Sequence, residues 1–456
     1  MSDFDLVLIG DIVLPDRVIE RGHVAVRDGA VAAVGDGPAP GAATVEDFTG
    51  GSILPGAIDG QVHSRSQADQ EDFLWSTRSA AAGGVTTIVD MPYDDGQLIC
   101  TAERLKTKAE AAASQARVDF ALYGTVHPDD GPAHIPAMIE AGAAAFKFST
   151  FGTHPERFPR IPPQTMHDCF AEIARFDLMA GVHNENEEVI RAALAETRAS
   201  GRTDYLAHGL SRPAISELLA MAEVYELGVA TGCAAHVVHC SQGRGYEMAR
   251  AYRDQGYRAT AEACIHYLTL SEEDDVSRLG GVAKINPPIR GRTQREALWR
   301  HLADGNIAIV STDHVSWSLE RKTRNDMLEN ASGAPGLEAL VVLLATGLAE
   351  RGLPLTWAAR LLAENPARLF RIDRRKGALR TGRDADIAVL VPDEHAYDPA
   401  ASGNNVVDWS PYAGRRLAWR VEATYLRGQP VWTHGGSVAG PGTGTWIRPD
   451  RSRGDA

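Results

Sequence analysis

Ile53-Leu54-Pro55-Gly56-Ala57-Ile58-Asp59-Gly60-Gln61-Val62-His63-Ser64-Arg65 is the stretch around which the rest of the chain is organised. An apolar run with turn residues leads into a polar cluster, the pattern of a buried strand that ends at a surface or a cavity. Alternate residues of a strand share a face, so Gln61, His63 and Arg65 are expected to project together. An amide, an imidazole and a guanidinium side by side make a poor core and a good site.

Outward from this stretch, about 53–370 alternates short β-branched runs with alanine-rich segments of helical spacing, such as 101–116 and 215–227. Strands are predicted at 53–63, 86–91, 119–126, 144–149, 180–183, 236–239, 258–263 and 307–312. Eight β/α repeats fit a (β/α)8 TIM barrel better than an open sheet, and such barrels gather chemistry at the C-terminal ends of their strands. The predicted ends are polar. The first carries Gln61 and His63, the fourth Lys147, the fifth His183, the sixth His239 and the eighth Asp313. The seventh carries Glu262 and His266, read as supporting residues. Lys147 lies in the apolar run Ala143-Ala144-Ala145-Phe146-Lys147-Phe148, where a lysine is costly unless paired or chemically altered. Taken alone, it reads better as a snorkelling or salt-bridged lysine.

The ends of the chain differ from its middle. Residues 6–9, 23–26, 30–34, 386–391, 421–426 and 430–432 read as short strands between turn signals such as Asp28-Gly29. Both termini are therefore predicted to build one small β-sandwich domain, 1–52 plus 375–435, around a barrel at 53–374. The glycine-rich 436–456 is expected to be an extended or partly disordered tail.

Bulk properties exclude several classes. The chain has 456 residues, 23% charged and 44% hydrophobic, with a net charge of −14. This acidic, interspersed balance argues against nucleic acid and anionic membrane as partners. The five cysteines are scattered without a CxxC pair, so neither a disulfide framework nor a cysteine-zinc site is expected. No apolar run approaches the ~20 residues of a membrane span, and the N-terminus lacks a signal-peptide pattern, so a cytoplasmic location is the expectation.

His63, Lys147, His183, His239 and Asp313, at the ends of the first, fourth, fifth, sixth and eighth repeat strands, resemble the amidohydrolase superfamily. The closer resemblance is to its cyclic amidohydrolase branch of hydantoinases, dihydropyrimidinases, allantoinases and dihydroorotases. It rests on Asp90-Met91-Pro92, Phe146-Lys147-Phe148, His236-Val237-Val238-His239-Cys240-Ser241 and Asn286-Pro287-Pro288, and on Glu364-Asn365-Pro366-Ala367 ahead of Lys376-Gly377 and Gly382-Arg383-Asp384-Ala385-Asp386. The resemblance implies hydrolysis of the C–N amide bond of a cyclic ureide, imide or lactam. It implies one or two Zn2+ ions, with Mn2+ as the other candidate, and a carbamylated Lys147 joining them. His183 and His239 would hold one ion; His63, Asp313 and the residue at 61 would hold the other. Asp313 would carry the proton from water to the leaving nitrogen. Arg65, Thr153, Asn286 and Gly336 would contact the substrate, and the protein would be a homotetramer or homodimer.

One position departs from the pattern: the branch has histidine where this chain has Gln61, and a neutral amide is a weaker zinc ligand than an imidazole. Three readings follow: a loosened second metal, a single metal, or a non-catalytic relative that binds partners. Arg65 suits a substrate carboxylate or an ion pair with Asp69 or Glu71. Tyr93 stands where dihydroorotases have asparagine, and Gly152 where hydantoinases have a tyrosine. Allantoinase with an altered metal site is the alternative assignment.

Overall fold

The computed structural model describes residues 3–67, 70–436 and 438–450. The chain begins with four strands, β1 (Phe4–Val13), β2 (Val18–Arg27), β3 (Ala30–Gly35) and β4 (Ala42–Pro55). The barrel strands follow: β5 (Ala57–Val62), β6 (Val85–Asp90), β9 (Asp119–Gly124), β10 (Ala145–Ser149), β11 (Met179–His183), β12 (Ala234–Val237), β13 (Ala259–Ala261), β14 (Ala263–Cys264) and β15 (Val310–Ser311). A two-residue hairpin, β7 (Tyr93–Asp94) and β8 (Gln97–Leu98), rides on the loop after β6. The chain returns to the first sheet with β16 (Ile387–Ala396), β17 (Arg416–Leu426) and β18 (Gln429–Thr433).

The parallel barrel strands pair in the order β5-β6-β9-β10-β11-β12-β13, and β14 pairs with β15. The ring closes between the last strand and the first, where His63 N–H donates to His314 O at 3.0 Å and His314 N–H to Gln61 O at 3.3 Å. The predicted seventh strand is split at Glu262, and the eighth is reduced to Val310–Ser311.

The terminal strands form one hydrogen-bonded sheet in the order β18-β17-β16-β4-β1-β2-β3. It wraps a core of its own that includes Leu8, Ile12, Val24, Ile53, Ile387, Val389 and Tyr425. The Asp28-Gly29 turn comes back onto the start of β16, with Ala385 N–H donating to Gly29 O at 2.9 Å. Gly29 takes φ +76° there, a left-handed conformation that suits glycine. The run predicted as one strand from residue 53 is divided. Ile53–Pro55 belongs to β4 and pairs with β16, whereas β5 begins at Ala57. Gly56 stands at the break, where a Cβ would lie 2.3 Å from Thr86 Oγ1.

Barrel and sheet meet at a buried charge cluster. Lys376 Nζ lies 2.8 Å from Asp384, 2.7 Å from Asp386 and also against Asp119 at the start of β9. Arg427 reaches Asp119 at 2.6 Å. These three carboxylates could be mistaken for a cation site, but Lys376 and Arg427 already neutralise them. Burial pushes the Asp119 carboxyl up; the Lys376 and Arg427 charges outweigh it and hold the group below the usual carboxylate range. The tail docks on its own barrel beside this cluster: Thr445 N–H donates to Asp119 at 2.7 Å and Ile447 N–H to Phe120 O at 2.7 Å. Ser437 and residues 451–456 of the predicted tail lie outside the described residues. All five cysteines are free and buried, and no helix among the described residues is long and apolar enough to cross a membrane.

Replacing Lys376 by Met leaves the buried Asp119 and Asp386 short of a cation and is expected to cost about 3–5 kcal/mol of stability, read by urea unfolding at neutral pH. A depressed folded-state pKa stabilises above the unfolded value and is lost as pH falls through the folded one. Asp119→Asn should therefore flatten the acid limb of the wild-type stability curve; an unchanged limb would contradict this.

Candidate active site

The cavity at the C-terminal mouth of the barrel encloses about 300 Å³ and lies where catalytic groups gather in this fold. Gln61, His63, Lys147, His183, His239 and Asp313 all line it, so the structure brings together the polar strand ends named from the sequence.

Each group is placed by local backbone logic. In β10 the side chains alternate, so Phe146 and Phe148 pack outward while Lys147 and Ser149 face in. Lys147 pairs across the sheet with Gly181 of β11, which leaves room for a long side chain. His239 and Asp313 follow their strands with φ of 41° and 49°. Such left-handed conformations cost a non-glycine residue about 1–3 kcal/mol and persist only when held from several sides. Glu262 Oε1 accepts the His239 N–H at 3.2 Å. Asp59 accepts the Thr312 N–H, next to Asp313, at 3.1 Å. The turn out of the strand aims both side chains into the cavity.

Two half-sites result. In the first, His183 Nδ1 and His239 Nε2 stand 2.9 Å apart. His183 Nε2 faces Glu185 Oε2 at 2.9 Å, which places the ring proton on Nε2 and leaves the Nδ1 lone pair in the cavity. Glu185 is fixed in turn by Arg212, and Arg212 O accepts from Arg290, which also binds Glu217 at 2.6 Å. Burial, then the neighbouring His183 and Lys147 charges, hold His239 well below its ordinary pKa, so it stays neutral. Lys147 is 2% exposed and makes no ion pair among the described residues. Burial pulls its amine down to about 8, although Asp313 and Glu262 pull the other way. Two imidazole nitrogens converging on one point are the donor set of a zinc-type cation.

In the second half-site, Asp313 Oδ1 accepts from Gln61 Nε2 at 2.7 Å and faces His63 Nε2 at 3.2 Å. Burial pushes Asp313 up, but the His63 hydrogen bond and charge, with His239 and Lys147, hold it well below the usual carboxylate range. His63 is fixed by Ser66 Oγ at 3.1 Å and by the Tyr93 ring, which lies parallel to it with centroids 6.0 Å apart. Tyr93 is held by Phe158 on one side and by Lys108, whose Nζ binds Tyr93 O at 2.6 Å. Lys108 also pairs with Asp90 at 2.5 Å, so the aspartate of Asp90-Met91-Pro92 shapes the site without entering it.

Of the four expected substrate contacts, Thr153 and Asn286 line the cavity. Arg65 and Gly336 are not among its lining residues. β5 stops at Val62, Arg65 turns away with φ 54°, and its Nε donates to Asp94 Oδ1 at 2.7 Å. The strand face expected to hold Gln61, His63 and Arg65 together thus ends three residues short of Arg65. Asp69 lies outside the described residues, and Glu71 pairs with His314. Gly336 N–H donates to His314 Nδ1 at 3.0 Å and so braces the loop behind Asp313. Glu185, Arg157, Phe158 and the Ala331–Gly333 segment were missed. Only Glu185 carried a readable signal, a carboxylate two residues past a strand-end histidine. Trp317 lines the cavity and donates to Ser332 O at 2.8 Å.

A barrel with imidazoles, a buried lysine and an aspartate at its strand ends has the architecture of a hydrolase. The chain belongs to the amidohydrolase family, whose match runs over residues 52–413, and within it to the cyclic amidohydrolase branch. It is similar to an allantoinase of Rubrobacter xylanophilus, 36% identical over 100% of both chains. It is also similar to an L-hydantoinase of Paenarthrobacter aurescens, 30% identical over 97% of this chain and 99% of that one. Among solved structures it matches the L-hydantoinase (dihydropyrimidinase) from Arthrobacter aurescens with a TM-score of 0.93 at 30% identity, covering 98% and 100% of the two chains. A D-hydantoinase matches with a TM-score of 0.90 at 28% identity, covering 98% and 99%. The protein is thus an enzyme, a cyclic amidohydrolase acting on C–N bonds other than peptide bonds, and the non-catalytic reading falls away.

Removing the group that orients a ligand histidine typically weakens metal binding 10–100-fold. Glu185→Gln should weaken Zn2+ binding by about that factor in a competition titration against a chromophoric chelator; unchanged affinity would show that Glu185 does not orient His183 for a cation.

Proposed function

We propose that the protein opens the ring of a small cyclic ureide by hydrolysing an amide C–N bond, with allantoin and hydantoins as the first substrates to test and cyclic imides and lactams as the wider class. The observation that carries this reading is Asp313, an ionised, buried carboxylate aimed by Gln61 and His63 into a cavity sized for one ring. Its likeness to an allantoinase along the whole chain supports a ureide. So do two buried amide oxygens that lack donors, Asn286 Oδ1 and Gln61 Oε1, which suit ring N–H groups.

In the reaction, water adds to the ring carbonyl carbon, the bond from that carbon to the ring nitrogen breaks, and the nitrogen gains a proton. The product carries a new carboxylate and a freed N–H. Asp313 takes the proton from the attacking water and delivers it to the leaving nitrogen, a role that needs its carboxylate unprotonated at neutral pH. Tyr93, Phe158 and Trp317 wall the cavity and limit water access. His183, His239 and Lys147, with His63, Asp313 and Gln61 around the second position, would hold one or two Zn2+ or Mn2+ ions. Such an ion supplies Lewis acidity that polarises a carbonyl and acidifies water. Lys147 as a carbamate would offer oxygen ligands where an ammonium repels cations. Thr153 and Asn286 would orient the ring. A homotetramer or homodimer in the cytoplasm completes the reading.

Incubation with allantoin, and separately with 5-substituted hydantoins, should release the ring-opened acid. Asp313→Asn should lower kcat by about 10²–10⁴-fold, the range for a lost general acid–base group. Lys147→Ala should lose bound metal and activity together. Turnover retained in Asp313→Asn would overturn its assignment.

A further inference from the structure

We infer that this site takes a single cation, at the His183–His239 pair, and that Gln61 closes the second position by holding Asp313 with its carboxamide. The inference rests on the proposed reading and fixes which part of the cavity floor binds metal. The two half-sites differ in what they present. At His183 and His239 the facing atoms are two ring nitrogens 2.9 Å apart that share one proton, and moving that proton to His239 Nδ1, which has no partner, turns both lone pairs to a cation without disturbing the Glu185–Arg212 network. At Asp313 the facing atoms are donors. Gln61 Nε2 stands 2.7 Å from Oδ1, and His63 Nε2 stands 3.2 Å from the same oxygen. Asp313 Oδ1, which already accepts from both, has little left for a cation, and Oδ2 is the oxygen left to take the proton from water.

Admitting a cation there would require both donors to reverse. Turning the Gln61 carboxamide over would set Oε1 beside the carboxylate, oxygen against oxygen, and even then offer a neutral amide oxygen in place of an imidazole. Gln61 is 1% exposed and its Oε1 has no hydrogen-bond donor, so the amide is oriented by the single strong contact to Asp313. His63 would have to present Nε2 as a lone pair while Ser66 and the Tyr93 ring keep it in place. Gln61 is therefore a positioning residue: it aims Asp313 as a second cation would, but with a proton donor.

The test is elemental analysis of protein saturated with Zn2+ in the presence of bicarbonate and then freed of excess metal, alongside an allantoin and hydantoin hydrolysis assay. About one Zn2+ per chain is expected for the wild type, lost in His183→Ala and in His239→Ala and kept in His63→Ala. Gln61→His should raise the content towards two. About two Zn2+ per wild-type chain, or loss of the only ion in His63→Ala with retention in His239→Ala, would overturn the inference. Two ions with turnover would sink the single-cation inference and leave the hydrolase reading standing. One ion at His183–His239 without turnover on any ring would uphold the inference and sink the substrate reading. No bound Zn2+ would sink the inference whatever the assay shows.

Discussion

Asp59 accepts the backbone N–H groups of both Gln61 and Thr312 at 3.1 Å, and its second oxygen takes the Thr312 hydroxyl. This fully buried carboxylate stitches the last barrel strand to the first. Burial pushes its pKa up to about 7, against the pull of its three hydrogen bonds. The seam matters because the chain supplies its chemistry in pieces far apart in sequence. Gln61 and His63 leave β5 on one side of the seam, and Asp313 leaves β15 on the other. Only when the barrel closes do the carboxamide and the carboxylate come within 2.7 Å.

The same logic recurs around the mouth. Glu262 sits where the seventh strand breaks, and it holds the His239 backbone, Ser311 and His236 at once. Glu217 collects Ser241, Gln242 and Arg290, and through Arg290 it joins the Arg212–Glu185 chain behind His183. These carboxylates use buried charge to fix strained turns, and the strain in turn directs His239 and Asp313 inward. Removing water from the cavity floor strengthens each of these contacts and raises the penalty for any left unmade.

A division of labour between buried charges follows. Lys376, Asp119, Asp384 and Asp386 form a saturated cluster whose product is a rigid junction between sheet and barrel. Lys147 is as deeply buried as Lys376 but has no carboxylate in ion-pair contact among the described residues. One lysine has its partners built in, and the other lines the cavity without one, which is what the proposed role asks of it.

Much of this was legible in the sequence. Alternating runs in the middle and short strands at both ends dictated a barrel carrying a β domain, because side-chain period and turn chemistry are local properties. The strand-end rule singled out Gln61, His63, Lys147, His183, His239 and Asp313, since a polar residue closing an apolar run has few other uses. Three things waited for the tertiary structure. Where one run divides between two sheets depended on its partners, β16 for Ile53–Pro55 and β6 from Ala57 onward. Arg65 turned to Asp94 because its backbone leaves the strand. The direction of the Gln61 carboxamide, donor towards Asp313, depended on a residue some 250 positions away, and no local pattern encodes a contact made only by closing the ring.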